Sequence, residues 1–85
     1  MREFTYQIKD QEGIHARPAG QLVKLAQGFA SDVTIRRGER LVSAKKLFAL
    51  MGMGIKQDEV VTVTVSGADE EAALTALETF FREQL

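Results

Sequence analysis

Val60, Val61, Thr62, Val63, Thr64 and Val65 alternate valine with threonine over a full strand length, and the fold turns on this stretch. β-Branched side chains suit the pleated backbone. A period of two sends Val61, Val63 and Val65 to one face and the threonines to the other. One face is thus made for a core and the other for water, the pattern of an antiparallel sheet covered on a single side.

Reading outward, the flanking segments supply partners and cover. Phe4, Tyr6 and Ile8 alternate with polar residues and predict a half-buried strand over 2–8. Val33 and Ile35 alternate again, and Arg37-Gly38-Glu39 reads as a hairpin turn into a short strand over 40–42. Ala16, Ala19, Leu22, Val23 and Ala26 carry helical spacing, closed by Gly28. Leu47, Phe48, Leu50 and Met51 fit a short helix stopped by Gly52 and Gly54, with Leu50 expected in the core. After Gly67, Asp69 is expected to cap a last helix whose apolar stripe is Ala73, Leu74, Leu77, Phe80 and Phe81. The order is β-α-β-β-α-β-α, an α+β two-layer arrangement of four antiparallel strands with helices on one face. Such folds host carriers, RNA binders and ligand sensors alike, so function must come from particular residues.

Composition narrows the classes. The 85 residues are expected to form one domain over 1–85, and 45% apolar with 27% charged content is that of a globular chain. The absence of cysteine excludes a disulfide scaffold, and one histidine leaves too few ligands for an ordinary zinc centre. Neither a metal nor a cofactor is expected. No apolar run reaches the ~18 residues of a membrane span, and Met1-Arg2-Glu3 begins no signal peptide, so a cytoplasmic protein without membrane insertion is expected. Net charge is −1, unevenly spread. Residues 13–56 set eight basic side chains against Asp32 and Glu39, a balance of +6, and the flanks carry −7. A basic middle suits an acidic partner or a phosphate. Nucleic acid is disfavoured, because the strands lack a pair of exposed aromatics for base stacking.

The segment with chemistry is Gly13-Ile14-His15-Ala16-Arg17-Pro18-Ala19. Glycine permits a tight turn ahead of the helix, and Pro18 has no N–H to lose in a first turn. His15 is thereby placed at the N-cap and Arg17 inside the first turn. Unpaired N–H groups and the positive helix end, at Ala16 through Pro18, converge beside the imidazole as an anion site. Arg17 can add a forked contact to a phosphate. The dipole disfavours imidazolium, so a neutral, nucleophilic ring is expected near pH 7. No general base, metal or Gly-rich nucleotide loop is visible, so any phosphoryl group must arrive from an already activated donor.

This string resembles the active-site signature of the HPr family, the histidine-containing phosphocarriers of the bacterial phosphotransferase system. The likeness extends along the chain through Ser43-Ala44-Lys45, Leu47-Phe48, Gly54-Ile55 and Ser66 to Glu70. It implies an open-faced β-sandwich, with four antiparallel strands under three helices. It also implies that His15 accepts a phosphoryl group on Nδ1 from phosphorylated Enzyme I and passes it to IIA domains of sugar permeases. The protein would then be a stoichiometric carrier rather than an enzyme, and a monomer. Arg17 matches the family's active-site arginine and Pro18 its proline. Leu47, Phe48 and Met51 match the helix that docks partners, rimmed by Lys24, Lys45 and Lys46. Gly20 stands at the patch edge where relatives carry a larger residue, at a cost to the helix of roughly 0.8–1 kcal/mol relative to alanine. Part of the family carries a kinase-regulated serine where this chain has Lys46. Ser43 is out of register with it, so no regulatory serine is assigned.

Two other readings share these residues. A nitrogen-type paralogue has the same motif, though Lys45-Lys46-Leu47-Phe48 and Gly54-Ile55 are more similar to the sugar branch. A regulatory or interaction module without a transport role is reached in the family by replacing the histidine, and His15 is intact.

Overall fold

A computed structural model describes residues 1–85. The valine–threonine segment, β4 (Val60–Ser66), pairs antiparallel with β1 (Arg2–Gln7) on one side and with β2 (Asp32–Arg37) on the other. β3 (Arg40–Ser43) completes the sheet beyond β2, giving the order β1-β4-β2-β3. Three helices, α1 (Ala16–Gln27), α2 (Leu47–Met51) and α3 (Glu70–Gln84), interleave with the strands in the expected order. The β2–β3 connection is a two-residue turn with Gly38 at φ +60° and Glu39 at an ordinary φ. Positive φ at the first central residue alone is the type II′ geometry that matches strand twist.

Register explains the two faces. Phe4, Val63, Ile35 and Val42 stand opposite one another across the four strands. With Val61, Val65 and Val33 they turn toward the helices. Glu3, Thr64, Thr34 and Ser43 form a row on the other face, as do Thr5, Thr62, Arg36 and Leu41. Threonine suits that open face because it has strand propensity and a hydroxyl for water.

The core lies between sheet and helices. α1 contributes Ala19, Leu22, Val23 and Ala26, α2 only Leu50, and α3 Ala73, Leu77 and Phe81. Phe81 meets Phe4 and Tyr6 edge-on, with centroids 5.4 and 5.6 Å away, an arrangement worth about 0.5–1.5 kcal/mol per pair beyond burial. No helix is long and apolar enough to cross a membrane.

Two details differ from expectation. Asp69 sits at the N-cap of α3 but makes no capping bond. Its oxygens instead accept the N–H groups of Ala30 and Ser31 and the Ser31 hydroxyl. The α3 end is served by Glu70, whose carboxylate accepts Gly67 N–H at 3.2 Å and pairs with the amino terminus at 2.9 Å. Gly28, which ends α1, has φ −74°, so it closes the helix without the left-handed turn that glycine usually supplies.

Candidate functional site at the start of the first helix

The site begins in the turn before α1. Gly13 N–H donates to Asp10 O at 2.9 Å, and Glu12 N–H donates to Asp10 Oδ1 at the same distance. Lys9 and Asp10 donate their N–H groups to the Leu85 main-chain oxygen at 2.6 and 2.9 Å, so the end of α3 anchors this turn. Gly13 has φ +66°, and a Cβ there would lie 2.2 Å from the Ile55 carbonyl oxygen. Both the conformation and the space demand glycine. Ile14 N–H then bonds Ile55 O at 3.0 Å, and buried Ile14, Pro18 and Ala19 seat the helix start on the core.

His15 is the N-cap residue of α1, with extended φ −91° and ψ −178°, and its side chain makes no capping bond. Its main-chain oxygen takes the first helical bond, from Ala19 N at 2.9 Å. Ala16 and Arg17 therefore present N–H groups with no intrahelical acceptor, and Pro18 has none to present. The Arg17 guanidinium is exposed and enters no ion pair. Asp10, His15, Arg17, Pro18, Gln21 and Gln84 line one shallow depression. A free cation and a half-buried imidazole thus line one small open space at the donor-bearing end of a helix, the requirement for holding a phosphoryl group beside a nucleophile.

Two carboxylates complete the surroundings. Glu12 Oε2 lies 3.4 Å and Asp10 Oδ2 3.8 Å from His15 Nε2. The ring therefore stands between opposing fields, the positive helix end and two negative groups, where sequence reasoning weighed only the first. Asp10, Glu12 and His15 bring three possible metal-ligating atoms within 4.8 Å of one another, an open set with no fourth side chain. The signal available for Glu12 was its i−3 spacing from His15; Asp10 becomes a neighbour only through the turn. Gln84 arrives from the far end of the chain, and no local pattern points to it.

The residues expected around a partner surface divide along α1. Gln27 Nε2 bonds Lys45 O at 3.0 Å, whereas Ile55 lies against Gly13 and Ile14 at the other end. The α2 segment accordingly runs back along α1 toward His15. Twelve residues at 1.5 Å each separate those ends by about 18 Å. Phe48 is 88% exposed and Met51 40%, whereas Leu47 is half-buried and Leu50 is core. Phe48 and Met51 thus form an unpartnered apolar pair on α2. Lys24 and Lys46 stand in solvent, but Lys45 is half-buried and donates Nζ to Phe29 O at 2.8 Å. Gly20 is half-buried on α1, and a Cβ there would meet nothing within 4 Å.

Comparison with known proteins adds a further finding. A family model described as "PTS HPr component phosphorylation site" matches residues 2–83. The phosphocarrier protein HPr of Lysinibacillus sphaericus is 40% identical over 83 residues, which is 98% of this chain and 94% of that one. Among solved structures, the histidine-containing phosphocarrier protein of a Mycoplasma has TM-score 0.94 at 33% identity, covering 96% of this chain and 93% of its own. HPr-C-His of Thermoanaerobacter tengcongensis has TM-score 0.88 at 38% identity, with both chains covered in full.

Proposed function

The chain belongs to the HPr family of phosphocarrier proteins, and from that premise we propose that His15 is its phosphoryl acceptor. The donor is phosphorylated Enzyme I and the recipients are IIA domains of sugar permeases. The observation that carries this reading is the N-terminus of α1, where an imidazole with no capping bond and the unpaired Arg17 guanidinium line one depression at a helix end whose Ala16 and Arg17 N–H groups have no intrahelical acceptor.

Nδ1 attacks phosphorus with its lone pair while the bond from phosphorus to the donor breaks, and that electron pair leaves with the donor. The phosphoryl oxygens carry the developing charge, which the main-chain donors and the Arg17 fork meet without reorganisation. Transfer onward repeats the exchange toward the recipient. Phe48 and Met51 form the apolar centre of the docking surface, and Lys24 and Lys46 supply its charged margin. The intact His15 favours a carrier over a purely regulatory module.

The test is incubation with Enzyme I and phosphoenolpyruvate, followed by intact mass. One phosphoryl group, labile to acid and stable to base, is expected on the wild type and none on His15→Ala. That variant should fold normally, since the His15 side chain caps nothing. Arg17→Ala and Arg17→Lys should both slow transfer while leaving the urea midpoint unchanged. Phosphorylation of His15→Ala would sink the reading.

A further inference from the structure

The edge of the sheet at β3 has no part in the site at His15. β3 is an outermost strand, and its pairing with β2 leaves some of its main chain unused. Residues opposed across an antiparallel pair alternate between those that exchange main-chain bonds and those that do not. One step beyond the Thr34–Ser43 pair, Ala44 N–H donates to Val33 O at 2.8 Å, so Val42 with Ile35 and Arg40 with Arg37 are the bonded pairs. Leu41 and Ser43 therefore turn their N–H and C=O groups outward. The Ser43 carbonyl accepts Lys46 N–H at 3.2 Å, but the Leu41 N–H, the Leu41 carbonyl and the Ser43 N–H meet no partner in the chain.

The side chains here depart from the rest of the open face. That face is rich in threonine, yet Leu41 stands on it 58% exposed, directly opposite Arg36. Arg40 lies on the other face of β3, with its guanidinium near Gly52 at the end of α2. Arg36 and Arg40 are both exposed, and neither enters an ion pair. The Glu59 carboxylate is taken up by Arg37 and by Lys56 N–H, and Glu39 is the one acid between Arg36 and Ser43. At the opposite edge, by contrast, Arg2 of β1 is already balanced by Glu70 and Glu71.

From this arrangement we propose that the β3 edge takes an extended acidic segment of a partner protein as an added strand, with an apolar residue beside Leu41 and carboxylates beside Arg40. The inference uses none of the residues assigned to phosphoryl transfer and does not depend on that reading.

Main-chain bonds to Leu41 and Ser43 would hold such a strand, and its side chains would decide which segment fits. In an antiparallel register centred on Leu41, the residue opposite Leu41 lies on the open face and its two neighbours face Arg40 and Val42. Alternating acidic and apolar residues meet both demands, and Arg36, one strand further in, adds to the positive field. A second copy of this chain fits poorly. Two β3 strands joined about Leu41 would gather Arg36 and Arg40 of both copies at one seam, where like charges repel. The arginines thus guard the edge against its own kind and favour the opposite sign.

The experiment is an amide ¹⁵N–¹H titration of the full chain at about 50 mM salt, where exposed charges still attract. The added ligand is a capped octapeptide of alternating glutamate and valine. Shifts should centre on Leu41 and Ser43, whose N–H groups gain acceptors and exchange more slowly with water. The same peptide methylated on its valine nitrogens keeps every charge but loses the donor to the Leu41 carbonyl, and it should bind several-fold more weakly. The double variant Arg36→Glu with Arg40→Glu should lose the glutamate peptide and bind a lysine–valine counterpart instead. Amide positions unchanged away from β2 and β3 would show that this variant folds. A glutamate peptide that shifts no amide of β3, that binds equally well when methylated, or that collects at His15 and Phe48 would overturn the inference. So would concentration-dependent shifts of β3 in the protein alone, which would give the edge to a second copy.

Discussion

Asp69 and Ser31 are joined twice, the Asp69 carboxylate accepting both the main-chain N–H and the hydroxyl of Ser31 across a separation of 38 residues. The other carboxylate oxygen takes Ala30 N–H at 2.8 Å. Gly67 lies against the same serine, with φ +154° and room for no side chain, since a Cβ would come within 2.6 Å of Ser31 Oγ. The turn before β2 is thus fastened to the turn before α3, at the end of the sheet where Asp32 opposes Ser66. This is structural work by an acidic residue that would otherwise read as a helix cap.

Stability should therefore depend on Asp69 in a pH-specific way. The Ser31 hydroxyl, followed by the Ala30 N–H, holds the Asp69 carboxyl below its ordinary value. A carboxyl lowered in the folded state contributes stability that is present above its unfolded value, about 3.9, and is lost as pH falls through the folded one. Urea midpoints of wild type and Asp69→Asn should differ at pH 6 and draw together as pH falls below the unfolded value and through the lowered folded one. A gap that persists undiminished in acid would mean that charge on Asp69 is not its source.

At Gly20 the expectation runs the other way. The residue is helical, its φ is not positive, and a methyl group would enter open space. Gly20→Ala should stabilise the protein by roughly 0.5–1 kcal/mol, through lower entropy of the unfolded chain and better helix propensity. Denaturant titration reads this as a raised midpoint at unchanged slope. Since Gly20 stands on the helix that carries His15, phosphoryl transfer by the variant should be tested beside stability; a destabilised Gly20→Ala would contradict the open space.

How much of this was legible beforehand depends on the range of the interaction. Periodicity is local, so the alternation in 60–65, the stripe of α3 and the helix starting at Ala16 could all be read directly, and the strands expected over 2–8, 40–42 and 60–65 match the observed ones within one residue at their ends. The Gly-Ile-His-Ala-Arg-Pro run likewise carries its own turn and helix start. What could not be read is what the chain brings from elsewhere. Asp10 faces His15 because a turn folds it there, Gln84 arrives from the last helix, and Asp69 is drawn off its helix by Ser31. Lys45 looked like one more free cation until the Phe29 carbonyl claimed its amine.

The apolar pair on α2 makes a prediction about salt. Phe48 is almost fully exposed and packs on nothing that its loss would unsettle. Phe48→Ala should leave stability within about 0.5 kcal/mol of wild type yet weaken binding to Enzyme I by more than 1 kcal/mol, nearly independently of salt. Lys24→Glu should act mainly on the association rate, with a deficit that shrinks between 50 and 300 mM salt as charges are screened. Calorimetry and stopped-flow mixing separate the two. If Phe48→Ala bound Enzyme I like the wild type, α2 would lie outside the interface.

Lys46 supports the last prediction, that this chain escapes the serine-kinase switch that the resemblance ascribes to part of the family. It is the N-cap residue of α2, with φ −117° and ψ 105°, and its side chain makes no capping bond. An ammonium group can only donate, so it cannot accept the N–H groups that open a helix, and its charge sits at the positive end of the dipole. A serine there could accept one of them, and a phosphate on it would place about −2 charge beside the exposed Phe48 and Met51. Lysine removes the hydroxyl and reverses the charge, which favours an acidic partner permanently. Lys46→Ser should hold α2 better by about 0.5–1 kcal/mol and associate with Enzyme I more slowly. Offered to an HPr kinase with ATP, the variant should gain phosphoserine and the wild type should not. Ser43 is the nearest other hydroxyl, and it already accepts Lys45 N–H at 3.2 Å on the far side of Ala44. Phosphoserine at Ser43 of the wild type would overturn the prediction, because the switch would then reach the same surface by another residue.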